Sequence, residues 1–579
     1  MGAFFLVRRT DAAVPDGRYE TLKAAYKGRQ WAEPVTLMAG GCDICLYPKR
    51  AGCPASVHIA DQANFCAATG TLIYMKKHGS AAVEQFWRDH VRGSVDWAQL
   101  YGHYCLIIAE RDTLSILTDR LGTYPVFHDD RFQVLSSRFM DVLACTEAPK
   151  IDSQTVYEYV FQGATYGNDT VIRGISRLDG SRRLDFQKGE KAAARETPMG
   201  LEPVAPPRSF EDSVAKNVDN LRAYFEALVA CYGEKIDTAL SGGYDSRLTL
   251  ALLREQGVTP RLHVYGRPTD PDVLVAKDIA AGENFPLTHT DKSGAARIEA
   301  SDFPAIVERN LDFFDGTPPD SILDDGADIM TRRERCAGGE LMLNGGGGEI
   351  FRNFFYLPDG RYSTKRFLWS FYNRFDPALC TARFNQKAYY QSMAEKVRKA
   401  AGTIGDTLTR EEIEFLYVGF RCRYWMGRNN GVNNALGYAL TPFIDANIVP
   451  DANIAPIRFK NYGKLEAAMI RRISPSLARY DSAYGHNFEN DPPLARRLKD
   501  IATLMRPPEL RKYTYRLHKR TRDGWPYYLG PDFIGAILPN GFPIMRQFFD
   551  VDRIADGEHF SRICTLEYLF DRTGAAMTD

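Results

Sequence analysis

The segment SGGYDS, residues 241–246, has the residue types of a phosphate-binding turn. It follows the apolar run KIDTAL and precedes RLTLALLREQG, which predicts a strand, a tight turn and a helix in direct succession. Such a turn presents backbone N–H groups at a helix N-terminus, where the helix dipole favours an anion. Gly242 and Gly243 let the backbone approach a phosphate without a Cβ clash, and Ser241 and Ser246 add hydroxyl donors. The pattern predicts a cradle for phosphate.

Asp245 lies inside this turn. A carboxylate does not bind an anion by itself, so Asp245 is interpreted as a ligand of Mg²⁺ that rests on the bound phosphate. The chain lacks the GxxxxGKS/T pattern, so the turn is not the P-loop of common NTPases. The alternative is an ordinary tight turn, because Gly-Gly and Asp are common in turns.

The elements around the turn predict a parallel sheet. KIDTAL (235–240) and RLHVYG (261–266) are typical of strands, and RLTLALLREQG (247–257) and VLVAKDIAAGE (273–283) are typical of helices. Strands and helices that alternate at this spacing form a parallel sheet with helical crossovers. Beyond residue 360 the pattern is helical and aromatic, and the basic run at 506–522 favours a solvated helix face over a binding patch.

The first block of the chain favours strands instead. CLIIAE (105–110) and LSILTD (114–119) predict a hairpin, FQVLSSR (132–138) predicts another strand, and SQTVYEYVFQG (153–163) predicts a helix closed by glycine. The polar segment 187–208 contains four prolines and predicts a linker to the second block. The chain is therefore expected to combine α/β and α+β parts in two domains.

Composition excludes several classes of protein. The chain has 579 residues, 44% hydrophobic and 25% charged, which is typical of a globular protein. Its 73 basic and 73 acidic residues give a net charge of +0, which argues against a nucleic-acid binder. We expect no membrane span, no secretory signal in MGAFFLVRRTD and a cytoplasmic location. The odd number of cysteines, 11, favours free thiols over a disulfide framework.

Three ordered motifs resemble a known family. SGGYDS is similar to the SGGxDS loop of N-type ATP pyrophosphatases, and FFDGTPPDSIL…LMLNGGGGEIFRN (313–353) and LTPFIDANIV…NYGKLEAAMIRRISP (440–475) extend the likeness to the asparagine synthetase superfamily. That superfamily includes β-lactam synthetases and lasso-peptide cyclases. The resemblance implies an ATP- and Mg²⁺-dependent ligase, which adenylates a small-molecule or peptide carboxylate, releases pyrophosphate and passes the acyl group to an amine or ammonia. It also implies a parallel-sheet ATP pyrophosphatase domain with a helical C-terminal extension.

The resemblance assigns roles to individual residues. ATP and pyrophosphate are expected at Leu240, Ser241, Gly242, Gly243, Asp245, Ser246 and Gly347. Mg²⁺ is expected between Asp245 and Glu349, because carboxylates on two loops at one edge of a parallel sheet can share a metal that offsets charge on pyrophosphate. Lys464 is expected to stabilise charge on the acyl-adenylate. The alternatives are a flexible glycine-rich turn around Glu349 and a surface lysine at 464. Tyr438 stands where the family often has Glu, which leaves the general base unassigned.

The first block resembles a class II glutamine amidotransferase domain, an Ntn-hydrolase-like αββα sandwich, at residues 102–128 and 163–180. In that family a cysteine directly after Met is the nucleophile and its own amino group is the base. This chain has Gly2 at that position, and YMKK (74–77) in place of the YNGE segment. The prediction is a domain at 1–190 without glutaminase activity, a linker at 191–210 and a ligase domain at 211–579.

Several alternatives stay open. The ligase could form an intramolecular amide, as the cyclases do, or make asparagine from ammonia, or be a non-catalytic scaffold or nucleotide-binding protein. Tyr244 and Arg247 depart from the SGGLDSS form and weakly indicate an uncommon acceptor. The oligomeric state is also open, and a homodimer is one alternative. Cys42, Cys45, Cys53 and Cys66 could bind Zn²⁺, but their spacing favours free thiols.

Overall fold

The computed structural model of the protein describes residues 1–9, 16–197, 199, 204–291, 293, 296–518 and 520–577. The part of the chain before residue 197 is rich in antiparallel strands. Its elements are β1 (Ala3–Arg8), α1 (Gly17–Gly28), β2 (Val35–Ala39), β3 (Cys42–Tyr47), β4 (Val57–Ile59), β5 (Phe65–Tyr74), β6 (Lys77–His78), α2 (Gly79–Val91), β7 (Leu100–Glu110), β8 (Thr113–Thr118), β9 (Phe127–Asp129), β10 (Val134–Ser136), α3 (Phe139–Ala144), α4 (Ser153–Gln162), β11 (Ile175–Arg177), β12 (Arg182–Gln187) and β13 (Ala193–Glu196).

These strands form two antiparallel sheets that pack face to face. One sheet has the order β11-β9-β10-β1-β3-β2, and the other has the order β13-β12-β8-β7-β5-β4 with β6 beside β5. Alternate residues of a strand point to opposite faces. Phe4 and Leu6 of β1 therefore face the second sheet, whereas Phe5 packs against Tyr19 of α1. On the far side of the second sheet, Phe86 of α2 packs against β5. The result is a helix–sheet–sheet–helix stack.

The local predictions for this block are confirmed. β7 and β8 pair as the predicted hairpin, and β10 lies within the predicted strand 132–138. α4 ends at Gly163, whose φ of +74° places it in the left-handed region. The segment predicted as a linker contains β13, which pairs with β12 and is fully exposed. Residues 198 and 200–203 of that segment lie outside the described residues.

The four cysteines considered for zinc are dispersed. Cys42 and Cys45 are three positions apart on β3, so they point to opposite faces, and they belong to separate hydrophobic clusters. Both are free thiols, as are Cys53 and Cys66. Across the described part of the chain, no group of three or more His, Cys, Asp or Glu side chains is arranged to hold a metal ion. Nothing in the described residues therefore supports the zinc alternative, which the spacing of the cysteines already disfavoured.

The rest of the chain adds a parallel sheet and many helices. Its elements are α5 (Phe210–Tyr232), β14 (Ile236–Ala239), α6 (Tyr244–Glu255), β15 (Arg261–Tyr265), α7 (Pro271–Gly282), β16 (Leu287–Thr290), α8 (Phe303–Phe313), α9 (Ala327–Arg335), β17 (Leu341–Leu343), β18 (Tyr362–Ser363), α10 (Thr364–Phe371), α11 (Gln386–Ala401), β19 (Thr407–Leu408), α12 (Arg410–Leu416), α13 (Arg423–Leu436), β20 (Tyr438–Leu440), α14 (Val449–Ile454), α15 (Ile457–Lys460), α16 (Lys464–Ile473), α17 (Pro475–Arg479), α18 (Leu494–Met505), α19 (Pro508–Arg511), α20 (Thr514–Leu517), α21 (Pro531–Ile537) and α22 (Gly557–Thr573). A π-helix, Tyr417–Cys422, joins α12 to α13.

The parallel sheet has the order β16-β15-β14-β17-β20, and every neighbouring pair in it is parallel. The predicted strands and helices between residues 235 and 283 are confirmed. The chain first winds outward from β14 to β16 and then returns to the other side of β14 at β17. The strand order therefore reverses between β14 and β17, and in open α/β sheets such a reversal leaves a crevice at the carboxyl ends of the two strands. No helix in the described ranges is long and apolar enough to cross a bilayer.

Buried polar contacts join the antiparallel block to the edge of the parallel sheet. His103 Nε2 on β7 accepts a 3.0 Å hydrogen bond from the N–H of Thr441, and its Nδ1 lies 2.6 Å from the Thr123 hydroxyl. The Asp445 carboxylate accepts a 2.7 Å hydrogen bond from the N–H of Gly102. Lys49 donates to the carbonyls of residues 434 and 437. These bonds fix the two blocks relative to each other.

The His103 contact predicts an acid-sensitive interface. Burial lowers the pKa of His103 to about 4, below the value of about 6.5 expected in the unfolded chain. Between these two values the unfolded state takes up a proton that the folded state excludes, so stability is lost as the pH falls through this window. Relative to His103→Gln, the wild-type protein should lose about 3 kcal/mol of unfolding free energy between pH 7.5 and pH 4. Urea denaturation at a series of pH values measures this difference, and parallel profiles for the two proteins would contradict it.

Candidate active site

The turn at residues 241–246 connects β14 to α6 as the sequence predicted. Leu240 is buried and its N–H donates to the carbonyl of His263, which continues the sheet. The Ser241 N–H donates to Ser246 Oγ at 3.0 Å, and the two serine hydroxyls lie 2.9 Å apart. Gly243 is the N-cap residue of α6, and no side chain forms a capping hydrogen bond there. The first N–H groups of α6 therefore have no capping side chain and can donate hydrogen bonds to an anion.

Gly242 is in close contact with a distant segment of the chain. A Cβ atom at Gly242 would lie 2.7 Å from the Cβ of Ala483, and the Ala483 N–H donates to the Gly242 carbonyl at 3.0 Å. The Gly242 N–H donates to the Asp272 carboxylate at 2.8 Å. From the sequence alone, the approach of a phosphate was the expected reason for this glycine. In this structure the close approach is made by residues 480–488, the covering segment.

Tyr244 and Arg247 hold the covering segment in place. The Arg247 side chain is fully buried and donates to the carbonyls of Tyr480 and Asp481, each at 2.7 Å. Its guanidinium lies 4.5 Å from the centre of the Phe488 ring, and the Tyr244 ring stacks on Phe488 with 4.0 Å between centroids. These contacts explain why a tyrosine and an arginine stand at positions 244 and 247, and no acceptor substrate is needed to account for them.

Three carboxylates from separate segments meet at one arginine. Nη2 of Arg352 lies 2.6 Å from Asp245 Oδ1 and 3.7 Å from Glu349 Oε1, and its Nε lies 3.0 Å from Glu466 Oε2. The Gly348 N–H donates to Asp245 Oδ2 at 3.1 Å. Asp245 follows β14 and Glu349 follows β17, so this carboxylate cluster lies at the crevice where the strand order reverses.

The carboxylates of the cluster differ in their protonation. Burial raises the pKa of Asp245 to about 6, although the charge of Arg352 opposes this effect. Burial, reinforced by the charge of Asp245, raises the pKa of Glu466 well above its usual range. Burial also acts to raise the pKa of Glu349, but the charge of Arg352 and a 2.6 Å hydrogen bond from the Tyr417 hydroxyl leave it lowered. A second cation at this cluster would favour the ionised form of all three acids.

Lys464 lies beside the cluster rather than in it. Gly463, with φ of +73°, precedes Lys464 at the start of α16. The Lys464 ammonium lies 3.7 Å from the Asp491 carboxylate and 6.0 Å from the centre of the Tyr462 ring. It lines a 340 Å³ cavity together with Tyr244. Among the described contacts none joins Lys464 to Asp245 or Glu349. The structure brings those two acids together and leaves the lysine at a neighbouring cavity.

Gly347 is required by its conformation and its neighbours. Its φ is +92°, and a Cβ atom there would lie 2.6 Å from Cγ2 of Ile444. The glycine lets the backbone turn sharply after β17, which brings Gly348 and Glu349 to Asp245.

Sequence reasoning missed Arg352, Glu466 and Tyr417. Arg352 is three residues after Glu349, and Glu466 is two residues after Lys464, so both lie within the quoted motifs. The charged residues within each motif could therefore have been considered as further members of the site. Their meeting depends on the direction of α16 and on the turn after β17, which a sequence pattern does not specify.

Other parts of the chain pack closely around Gly2. A Cβ atom at Gly2 would lie 2.9 Å from the Cα of Lys49. The cavity beside Gly2 has a volume of 30 Å³, and its walls include Trp31 and Arg138. This is about the space that one water molecule occupies in the liquid. The turn at residues 74–77 has Met75 and Lys76 at positive φ, and Lys76 forms a 2.7 Å ion pair with Glu226.

Comparison with known proteins adds little. No protein-family model and no curated protein matches the chain. Some solved structures do match, and two of them share 10% identity with this chain at a TM-score of 0.22. One is a glutamine phosphoribosylpyrophosphate amidotransferase from B. subtilis, complexed with ADP and GMP, for which the match covers 61% of this chain and 77% of that chain. The other is described as the allosteric regulatory enzyme of purine biosynthesis, with 59% and 74% covered. Likeness at this level carries no argument about function.

The cluster predicts a large stability effect of Arg352. Arg352→Met leaves three acids without their shared cation, so it should lower the free energy of unfolding by about 3–5 kcal/mol at pH 7.5. The loss should be smaller at pH 5, because protonated acids do not need the arginine. Urea denaturation at both pH values measures this. The matched control is Arg546→Gln, which removes an exposed pair with Asp552 and should cost at most about 1 kcal/mol. Equal effects of the two substitutions would contradict the prediction.

Proposed function

We propose that the chain is an ATP- and Mg²⁺-dependent amide ligase of the asparagine synthetase type, without glutaminase activity. It adenylates a substrate carboxylate, releases pyrophosphate and transfers the acyl group to an amine or ammonia. A carboxylate resists attack by an amine until one of its oxygens becomes a leaving group, and adenylation provides that leaving group. We propose that the chain works in the cytoplasm on small-molecule or peptide carboxylates.

The observation that carries this proposal is the place where the motifs meet. The turn after β14 and the turn after β17 flank the point where the strand order reverses, which is the usual ligand crevice of an open parallel sheet. Asp245 and Glu349 contact the same nitrogen of Arg352 there. An uncapped helix N-terminus and two acids at one crevice suit a nucleotide with its metal better than an ordinary turn does.

The acids present fit Mg²⁺. Magnesium prefers oxygen ligands, and in nucleotide sites it binds one or two carboxylates together with phosphate oxygens. Asp245 and Glu349 supply two such carboxylates on separate turns. A bound Mg²⁺ would offset the negative charge of the phosphates. Around it, the Ser241 and Ser246 hydroxyls and the N-terminus of α6 would bind phosphate oxygens.

The filled space beside Gly2 supports a nitrogen source other than glutamine. The cavity beside Gly2 has a volume of only 30 Å³, and position 2, where the resemblance expects a nucleophilic cysteine, has no side chain. The amine must reach the acyl-adenylate in its neutral form, which requires a base or a desolvated pocket. Intramolecular cyclisation and asparagine formation from ammonia both agree with these observations.

A non-catalytic nucleotide-binding protein is the second candidate, and a specific observation favours it. Arg352 lies on Asp245 where a cation would bind, and Asp272 accepts the Gly242 N–H that a phosphate would use. A protein that had lost catalysis could keep such contacts permanently. Nucleotide binding without pyrophosphate release would favour this candidate.

Pyrophosphate exchange tests the ligase proposal. In the presence of Mg²⁺ and a panel of carboxylates, the protein should exchange labelled pyrophosphate into ATP with one of the acids, and turnover should give AMP rather than ADP. Asp245→Asn should reduce exchange by about 100-fold or more, whereas Asp219→Asn on the exposed face of α5 should leave it unchanged. Formation of ADP, or full exchange by Asp245→Asn, would refute the proposal.

Lys464 should act on the second half of the reaction. If its ammonium supports the acyl-adenylate, Lys464→Met should reduce amide formation by about 10²–10³-fold and pyrophosphate exchange much less. Quantifying the amide product and the exchange rate on the same preparation separates the two steps. Lys499→Met, on α18, is the control. An equal loss in both steps would show that Lys464 serves nucleotide binding instead.

A further inference from the structure

A second cavity of 450 Å³ lies beyond the carboxylate cluster, between α4, α10, the π-helix and the segment that contains α19 and α20. Six arginines line it: Arg374, Arg421, Arg506, Arg511, Arg520 and Arg562. Three carboxylates also face it, at Asp320, Asp556 and Glu558. The cavity therefore has an excess of positive charge, and neither the proposed nucleotide site nor the lost glutaminase site explains that excess.

Ion pairs within the cavity use only part of this charge. Asp556 is paired with Arg520 at 2.9 Å, and Glu558 is paired with Arg562 at 3.0 Å. Arg511 is held by main-chain carbonyls, including those of Phe355 and Tyr356. This leaves Arg374, Arg421 and Arg506, for which the described structure shows no ion pair, and only Asp320 to balance them.

Arg421 connects the cavity to the carboxylate cluster. It lies on the π-helix four residues after Tyr417, which donates its hydroxyl hydrogen to Glu349. Its guanidinium stacks on the Trp425 ring at 4.4 Å, and its Nη1 atom is buried without a hydrogen-bond partner. Nε2 of Gln162, also on the cavity wall, is buried and unpartnered as well. Buried N–H donors without acceptors are costly, so their presence at a cavity indicates an acceptor that belongs there.

We propose that this cavity binds a multiply charged anionic group, a phosphate or a cluster of carboxylates, on the same substrate whose carboxylate is adenylated. This inference rests on the proposed function and narrows it to substrates that carry such a group in addition to the reacting carboxylate. A single carboxylate would neither fill 450 Å³ nor balance the unpaired arginines. The geometry places the reacting end of the substrate at Glu349 and the anionic group at Arg421, with Tyr417 between them.

Anion binding tests the proposal without ATP. Citrate, inorganic phosphate and acetate are titrated calorimetrically into the protein at matched ionic strength. Citrate or phosphate should bind at least about tenfold more tightly than acetate, and the tighter of the two identifies the anion. Arg421→Gln should weaken that binding about tenfold or more, Arg421→Lys should restore part of it, and Arg92→Gln at an exposed position should not change it. Thermal unfolding of each variant verifies that it is folded.

Two results would overturn the proposal. The first is that the wild-type protein binds citrate, phosphate and acetate with equal affinity, or binds none of them. The other is a folded Arg421→Gln variant with unchanged affinity, or an affinity that depends on Ser246→Ala instead, because the probe would then occupy the phosphate cradle. The assay contains no nucleotide, so its outcome is independent of whether the chain adenylates a carboxylate. Selective binding of citrate or phosphate at Arg421, together with an absence of pyrophosphate exchange, would show that the cavity binds anions and would refute only the ligase proposal.

Discussion

One guanidinium determines the architecture of the candidate site. Asp245, Glu349 and Glu466 belong to segments more than a hundred residues apart, and Arg352 lies against all three. Buried acids repel one another and lose hydration, so they remain together only with a compensating cation. The turn after β14, the turn after β17 and the start of α16 are therefore held together by a charge that the fold itself supplies.

That arrangement could be predicted from the sequence only in part. The strands and helices from residue 235 to residue 283 follow from local apolar patterns, and the turn at 241–246 follows from two glycines between a strand and a helix. Glu349 could be expected near Asp245 because carboxyl ends of parallel strands share an edge. Arg352 could not, because its direction depends on the turn made at Gly347 and on where α16 begins. The position of Lys464 at a neighbouring cavity could not be predicted either, because it also depends on where α16 begins.

The antiparallel block is held together by simpler requirements than the candidate site. Its two sheets and flanking helices pack through alternating apolar faces, which require only a period of two along each strand. Trp31 and Arg138 line the small cavity beside Gly2, whereas Lys49, His103 and Gly102 bind the chain around the edge strand of the parallel sheet. The block therefore supports β20 and the residues after it. The CDIC spacing left zinc open as an alternative to free thiols, but Cys42 and Cys45 lie on opposite faces of β3.

The covering segment has a kinetic consequence. Residues 480–488 contact Gly242 closely enough to exclude even a methyl group, and Arg247 and Tyr244 anchor them there. A ligand that uses this side of the turn can enter or leave only while the segment is lifted away. For the proposed ligase, each turnover would then include an opening event, and the frequency of that event would set an upper limit on the turnover rate, however quick the bond-making steps are.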